Sequence, residues 1–132
     1  MEAAECFMNG YSCSESIVKW AIDKNIVSED LLSVASSFSG GMGSGCLCGA
    51  IAGSQMVLGA VYGKENKHGN PPFARAKAQE FIQTFTAIHK ATCCRVLTKG
   101  LEMGSSERKL HCVNMVESAQ KILEELLSGV IV

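Results

Sequence analysis

The sequence predicts an all-α fold, a bundle of about six to seven helices around one central, buried, glycine-bearing helix. Three observations carry that expectation. Apolar residues recur at helical spacing along most of the chain. No stretch alternates β-branched and polar residues as a half-buried strand would. Glycine-rich turns separate the periodic segments, and the only two prolines are adjacent, at Pro71 and Pro72. A chain of 132 residues suits one domain, read here as 1–132, and its 47% hydrophobic content is enough for a core without staples.

Each element follows from local signals. A short helix is expected over Ala3 to Met8, ending near Asn9-Gly10. Ser12 and Glu15 form the Ser-x-x-Glu capping box of a second helix, whose apolar stripe is Ile17, Val18, Ala21 and Ile22. Cys13 then sits in its first turn, where the helix dipole favours a thiolate. Ser28 is the expected cap of a third helix through Leu31, Leu32 and Val34. That helix dissolves into Ser39-Gly40-Gly41-Met42-Gly43-Ser44-Gly45, a run that does not match the phosphate loop ending in Gly-Lys-Ser/Thr.

The stretch from Cys46 to Gly63 is apolar nearly all round and reads as the buried central helix, with Gly63 as its natural terminator. It contains Ser54 and Gln55 and falls short of the ~20 apolar residues of a membrane span. Gly49 and Gly53 lie on one face of it. Their helix cost, about 1 kcal/mol each against alanine, implies close approach of another helix or of a prosthetic group. A polar loop covers residues 64–72 and includes His68. Phe73 to Lys90 reads as an amphipathic helix with Phe81, Ile82, Phe85 and Ile88 inward, and with His89 near its end, where a cation complements the dipole. Cys93-Cys94-Arg95-Val96-Leu97 begins a short helix. A last one runs from Glu107 or Cys112 to Leu127, with Val113, Val116, Ala119, Ile122, Leu123 and Leu126 inward. The apolar end Val130-Ile131-Val132 is expected to pack or fray.

Composition narrows the function. Charge is nearly balanced, 12 Lys+Arg against 13 Asp+Glu, and no basic stripe interleaved with aromatics marks a nucleic-acid surface. Seven cysteines, an odd number, do not suit a purely structural disulfide set. The start, Met-Glu-Ala-Ala-Glu, lacks the basic and apolar regions of a signal peptide. Together these predict a cytoplasmic protein whose cysteines bind metal or do redox work. A redox protein and a second copy of the chain, as a homodimer, are the associations to expect; nucleic acid and membrane insertion are not.

The cysteines are Cys6, Cys13, Cys46, Cys48, Cys93, Cys94 and Cys112. No Cys-x-x-Cys pair occurs, against thioredoxin-type chemistry and ordinary zinc knuckles. Spacing alone leaves three chemistries open. One is an iron–sulfur cluster. Another is metal-free thiol–disulfide exchange, with Cys48 activated at a helix N-terminus and a second cysteine resolving it. The third is a zinc-binding structural module. His111 beside Cys112 is a candidate hydrogen-bond donor or replacement ligand. Arg95 beside Cys94 is either a charge complement to the site or a solvated surface residue.

Gly10-Tyr11-Ser12-Cys13-Ser14-Glu15-Ser16-Ile17, Phe38-Ser39-Gly40-Gly41-Met42-Gly43, Cys48-Gly49-Ala50-Ile51-Ala52-Gly53, Val57-Leu58-Gly59-Ala60-Val61-Tyr62-Gly63, Cys94-Arg95-Val96-Leu97 and Cys112 occur in that order. In this the chain resembles the redox-active family named for its C_GCAxxG_C_C cysteine pattern. The resemblance implies four key cysteines, Cys13, Cys48, Cys94 and Cys112. Through a related domain of split-Soret cytochrome c, it also implies an iron–sulfur centre, [2Fe–2S] or [4Fe–4S], with Gly49, Gly53, Arg95 and His111 near it. The haem of that cytochrome does not carry over, because no Cys-x-x-Cys-His is present. Cys6, Cys46 and Cys93 depart from the pattern, and Cys46 and Cys93 stand as alternative ligands beside Cys48 and Cys94.

Overall fold

A computed structural model describes residues 1–66 and 69–130, and the expectations for His68, Ile131 and Val132 lie outside them. The described chain is all-helical apart from a single isolated β-bridge. Its helices are α1 (Ala3–Met8), α2 (Cys13–Asp23), α3 (Leu31–Ala35), α4 (Gly49–Tyr62), α5 (Pro71–His89), α6 (Cys94–Leu97) and α7 (Ser106–Leu126).

Helix starts follow the local chemistry closely. At α2 the Ser12 hydroxyl accepts from the Glu15 N–H at 3.3 Å, and the Glu15 carboxylate accepts from the Ser12 N–H at 2.9 Å. Asn70 caps α5 with Pro71 in its first turn, two residues earlier than the sequence suggests. Lys90 closes α5 in a left-handed conformation, φ 70°. Ser105 caps α7 through the Arg108 N–H at 3.1 Å.

Three further features differ from expectation. Ser28 does not cap α3, because its hydroxyl is engaged with Asp30 alone, accepting from its N–H at 3.4 Å and donating to its carboxylate at 3.5 Å, and the helix begins at Leu31. Gly63 ends α4 in an extended rather than a left-handed conformation, φ −72° and ψ 174°. The central helix itself starts at Gly49, not Cys46. Residues 46–48 are instead extended: the Cys48 N–H donates to Thr92 O at 2.8 Å and the Cys94 N–H donates to Cys46 O, with Leu47 facing Cys93 in an antiparallel bridge.

α4 occupies the centre, packed by α2, α5 and α7. Ile51, Val57, Leu58 and Val61 meet Ile17 and Trp20 of α2, Phe81 and Phe85 of α5, and Val116 and Leu123 of α7 in one core. Ile88 does not join them and is 54% exposed. Inside α4, Ser54 Oγ donates to Ala50 O at 2.7 Å and Gln55 Nε2 donates across to Ala78 O of α5 at 3.0 Å, while Gln55 Oε1 has no partner among the described residues. Among the described residues no helix is long and apolar enough to cross a membrane.

The two glycines of α4 explain its closeness to α2. A Cβ on Gly53 would stand 2.7 Å from Ser14 O and 3.1 Å from Ser14 Cα, and one on Gly49 would collide with Cys13 Sγ. Gly53 therefore serves helix–helix contact, while Gly49 brings the start of α4 against the start of α2.

Candidate thiol centre

Four helix starts converge at one end of the bundle. Cys13 is the first residue of α2, Cys48 the residue capping α4, Cys94 the first residue of α6, and Cys112 lies in the second turn of α7. Two local devices hold them there. The 46–48/92–94 pairing sets Cys48 beside the start of α6. Gly41, at φ +64°, lets the preceding loop pass so close that a Cβ there would stand 2.9 Å from Cys94 Cβ.

These four cysteines line one cavity, together with Gly49 and His111; Leu97, Thr98 and Met115 complete the wall. The free space among them is about 20 Å³, room for roughly one water. The remaining cysteines lie elsewhere. Cys6 is fully buried between α1 and the core, Cys46 is exposed, and Cys93 turns away to donate to Gly45 O at 3.1 Å. Gly53 does not line the cavity, and Arg95 sits outside it, donating from Nη2 to Ser44 O at 2.8 Å.

Burial dominates the thiols' ionisation. Cys48 is 7% exposed, and its pKa is pushed up to about 12, first by burial and then by Cys13. The Ala50 and Ile51 N–H groups at the start of α4 pull the other way. Burial also raises Cys94 and Cys112; the Arg108 guanidinium opposes this in both, with its Nη2 4.0 Å from Cys94 Sγ. Cys13 raises Cys48, Cys94 and Cys112 alike, the mark of a shared neighbourhood.

The histidines separate cleanly. His111 lines the cavity, and its Nε2 is buried with no hydrogen-bond partner among the described residues. His89 pairs with Ser118 Oγ at 2.9 Å, and burial, with His111 nearby, lowers its pKa, so it favours the neutral ring rather than a dipole-pairing cation.

The family described as "Putative redox-active protein (C_GCAxxG_C_C)" matches residues 11–126. The chain belongs to that family. No curated protein and no solved structure matches the chain. The four cysteines expected from the family pattern are the four that line the cavity, and the three that depart from it lie outside.

Arg108, Thr98 and Met115 escaped the sequence reading. Each stands three or four residues from a cavity cysteine on the same helix or at its end, Arg108 and Met115 flanking Cys112 and Thr98 following Cys94. That spacing puts side chains on one face and could have flagged them. The 46–48/92–94 pairing carries no comparable local signal.

Labelling distinguishes the buried from the exposed thiols. In metal-free protein at about pH 8, iodoacetamide should modify exposed Cys46 readily and Cys48 hardly at all. A pKa near 12 means that Cys48 labelling, read by peptide fragmentation, should rise about tenfold per pH unit up to pH ~11. Equal rates at Cys46 and Cys48 would contradict the burial argument.

Proposed function

We propose that the chain holds an iron–sulfur cluster on Cys13, Cys48, Cys94 and Cys112 and serves electron transfer or redox sensing with a partner protein. The observation that carries this reading is the convergence of four thiols, from four separate parts of the chain, on one cavity. Four cysteine sulfurs are the usual donor set for a [2Fe–2S] or [4Fe–4S] group. The orphaned His111 Nε2 in the same wall supports it, since a buried ring nitrogen without a partner calls for one.

A cluster bound there would supply a one-electron centre. The chain's own contribution is to tune it. The Ala50 and Ile51 N–H groups reach the Cys48 sulfur and Arg108 lies beside Cys94, while the Thr98 hydroxyl donates to the Cys94 carbonyl at 2.7 Å and so fixes the backbone that carries the thiol. Donors and positive charge near the sulfurs raise a reduction potential, and the apolar wall of Leu97 and Met115 limits water. Room for the group would come from the half-buried side chains of Cys13 and Cys112.

Two alternatives are weaker. A metal-free exchange centred on Cys48 needs a thiolate, and a thiol with a pKa near 12 supplies about one thiolate in 10⁵ at neutral pH. A single zinc needs its sulfurs around one point, about 2.3 Å from the ion. Among the described residues, no three His, Cys, Asp or Glu side chains converge that way, and the chain lacks the Cys-x-x-Cys knuckle of ordinary zinc sites.

Anaerobic purification tests the proposal. The expected result is a brown protein with charge-transfer absorption in the visible and matching iron and acid-labile sulfide. A colourless protein that stays iron-free after reconstitution with iron and sulfide would overturn it.

A further inference from the structure

Just outside the thiol cavity lies a second, open cleft of about 390 Å³. Its walls include Gly43, Ser44, Gly45, Arg95 and Arg108, and it reaches Cys94, which it shares with the cavity. We propose that this cleft binds a small molecule bearing an oxyanion, carboxylate or phosphate, between Arg95 and Arg108 and beside Cys94.

Charge is the first argument. Two guanidiniums border one cleft, and among the described residues neither pairs with a carboxylate. The ion pairs among the described residues instead join Met1 and Lys19 to Asp23, Lys24 to Glu2, Lys77 to Glu80 and Lys121 to Glu117, and none of these residues lines this cleft. No Asp or Glu is among the described residues lining it. Two uncompensated positive charges in a concave, acid-free wall favour an anion, and the planar fork of arginine suits a carboxylate or phosphate.

Shape is the second. Three residues of the facing wall, Gly40, Gly43 and Gly45, carry no side chain, and Ser44, Thr98 and Met103 complete it. Gly40, Gly41, Met42 and Gly43 run consecutively in the left-handed region, at φ 62°, 64°, 62° and 67°. A left-handed turn costs an L-residue such as Met42 about 1–2 kcal/mol, so the loop is held in this form against its own preference. The turn leaves space: a Cβ at Gly40 or Gly43 would meet nothing within 4 Å. Gly45, by contrast, lies flat against Arg95, whose Nε would be 3.3 Å from an added Cβ. The arginine is thereby laid along the cleft, and its Nη2 is anchored on Ser44 O at 2.8 Å. A volume of about 390 Å³ falls in the range of small-molecule sites.

Arg108 also lies beside Cys94 of the thiol cavity, whereas Arg95 and the Gly43–Gly45 backbone belong to the cleft alone. The cleft's position beside Cys94 would set the bound molecule next to the redox centre without being part of it.

Equilibrium dialysis of the anaerobically purified protein tests this, with radiolabelled inorganic phosphate and succinate as probes and chloride fixing the ionic strength. Iron and sulfide are measured on the same samples, so a failure of this site and a failure of the cluster are read separately. The expected result is saturable binding of at least one probe near one equivalent, weakened about tenfold or more in Arg95→Gln/Arg108→Gln, as the loss of charge-assisted hydrogen bonds predicts. Phosphate alone would assign a phosphate-bearing ligand, and succinate alone a carboxylate. Arg95→Gln by itself, a change at an exposed side chain, should weaken binding severalfold and covers the case that the double variant does not fold. Absence of saturable binding with both probes, or binding undiminished in these variants, overturns the proposal.

Discussion

Replacing Cys48 with serine should leave the protein folded and strip it of iron. The two outcomes separate because Cys48 has two positions at once. It caps α4 with a sulfur that the Ala50 and Ile51 N–H groups approach but to which they make no full capping hydrogen bond, and that buried sulfur lines the cavity. Serine is among the best capping residues, and its shorter, harder hydroxyl would accept from the Ala50 N–H better than a thiol does, a gain of roughly 0.5–2 kcal/mol over a non-capping residue. That gain offsets the loss of a small buried apolar group, so unfolding in urea should change by no more than about 1 kcal/mol. A hydroxyl is a poor ligand for iron that prefers thiolate. Iron per chain should therefore fall below about a tenth of the parent's, with the circular dichroism spectrum unchanged. Cys46→Ser and Cys93→Ser should retain iron, since neither side chain lines the cavity. Iron lost from Cys46→Ser or Cys93→Ser but kept in Cys48→Ser would reverse the ligand assignment.

Much of the fold was legible because its signals are local. The Ser12/Glu15 box spans three residues, and the structure forms both of its hydrogen bonds. The apolar run of α4 announces a central helix because few other elements can bury that much surface on every side. Where the reading slipped, the deciding contact lay far away in sequence. Cys46-Leu47-Cys48 continues the apolar run and so looks helical, but its backbone is claimed by residues 92–94. Ile88 keeps the helical period of α5 yet is exposed, because the inward position of the last turn is taken by His89, packed on Phe85 and bonded to Ser118 of α7. The thiol centre is the strongest case. No spacing rule gathers Cys13, Cys48, Cys94 and Cys112; the family pattern picked them out, and the cavity they line gives a physical reason for the selection. The outer cleft could not be read at all, since Arg95 and Arg108 meet only through the path of the loop before α4.

The glycines at the α2–α4 seam give the sharpest test of whether the cavity is a site or merely a packing gap. Gly49 and Gly53 are four residues apart on one helix face, so each would present an added methyl to α2. Their obstacles differ in kind. At Gly53 the obstacle is backbone, Ser14 O at 2.7 Å, which cannot turn aside. Gly53→Ala should therefore push the helices apart and cost about 1–3 kcal/mol in urea unfolding. At Gly49 the collision is with Cys13 Sγ, the end of a short side chain. The α2 backbone beneath it is fixed by the Ser12–Glu15 capping pair, so the sulfur must rotate instead. The Phe38 O and Ser14 N contacts, both 3.3 Å, need only small adjustments. Alanine also favours the helix over glycine, by up to about 1 kcal/mol. Gly49→Ala should then change stability by less than about 1 kcal/mol while lowering iron per chain severalfold, because Cys13 is turned out of the cavity. The two variants thus separate fold from site along a single seam. If Gly49→Ala instead destabilises as Gly53→Ala does and keeps its iron, Cys13 is a packing residue, and the centre must be completed by another donor, of which His111, with its unpartnered Nε2 in the same wall, is the nearest in kind.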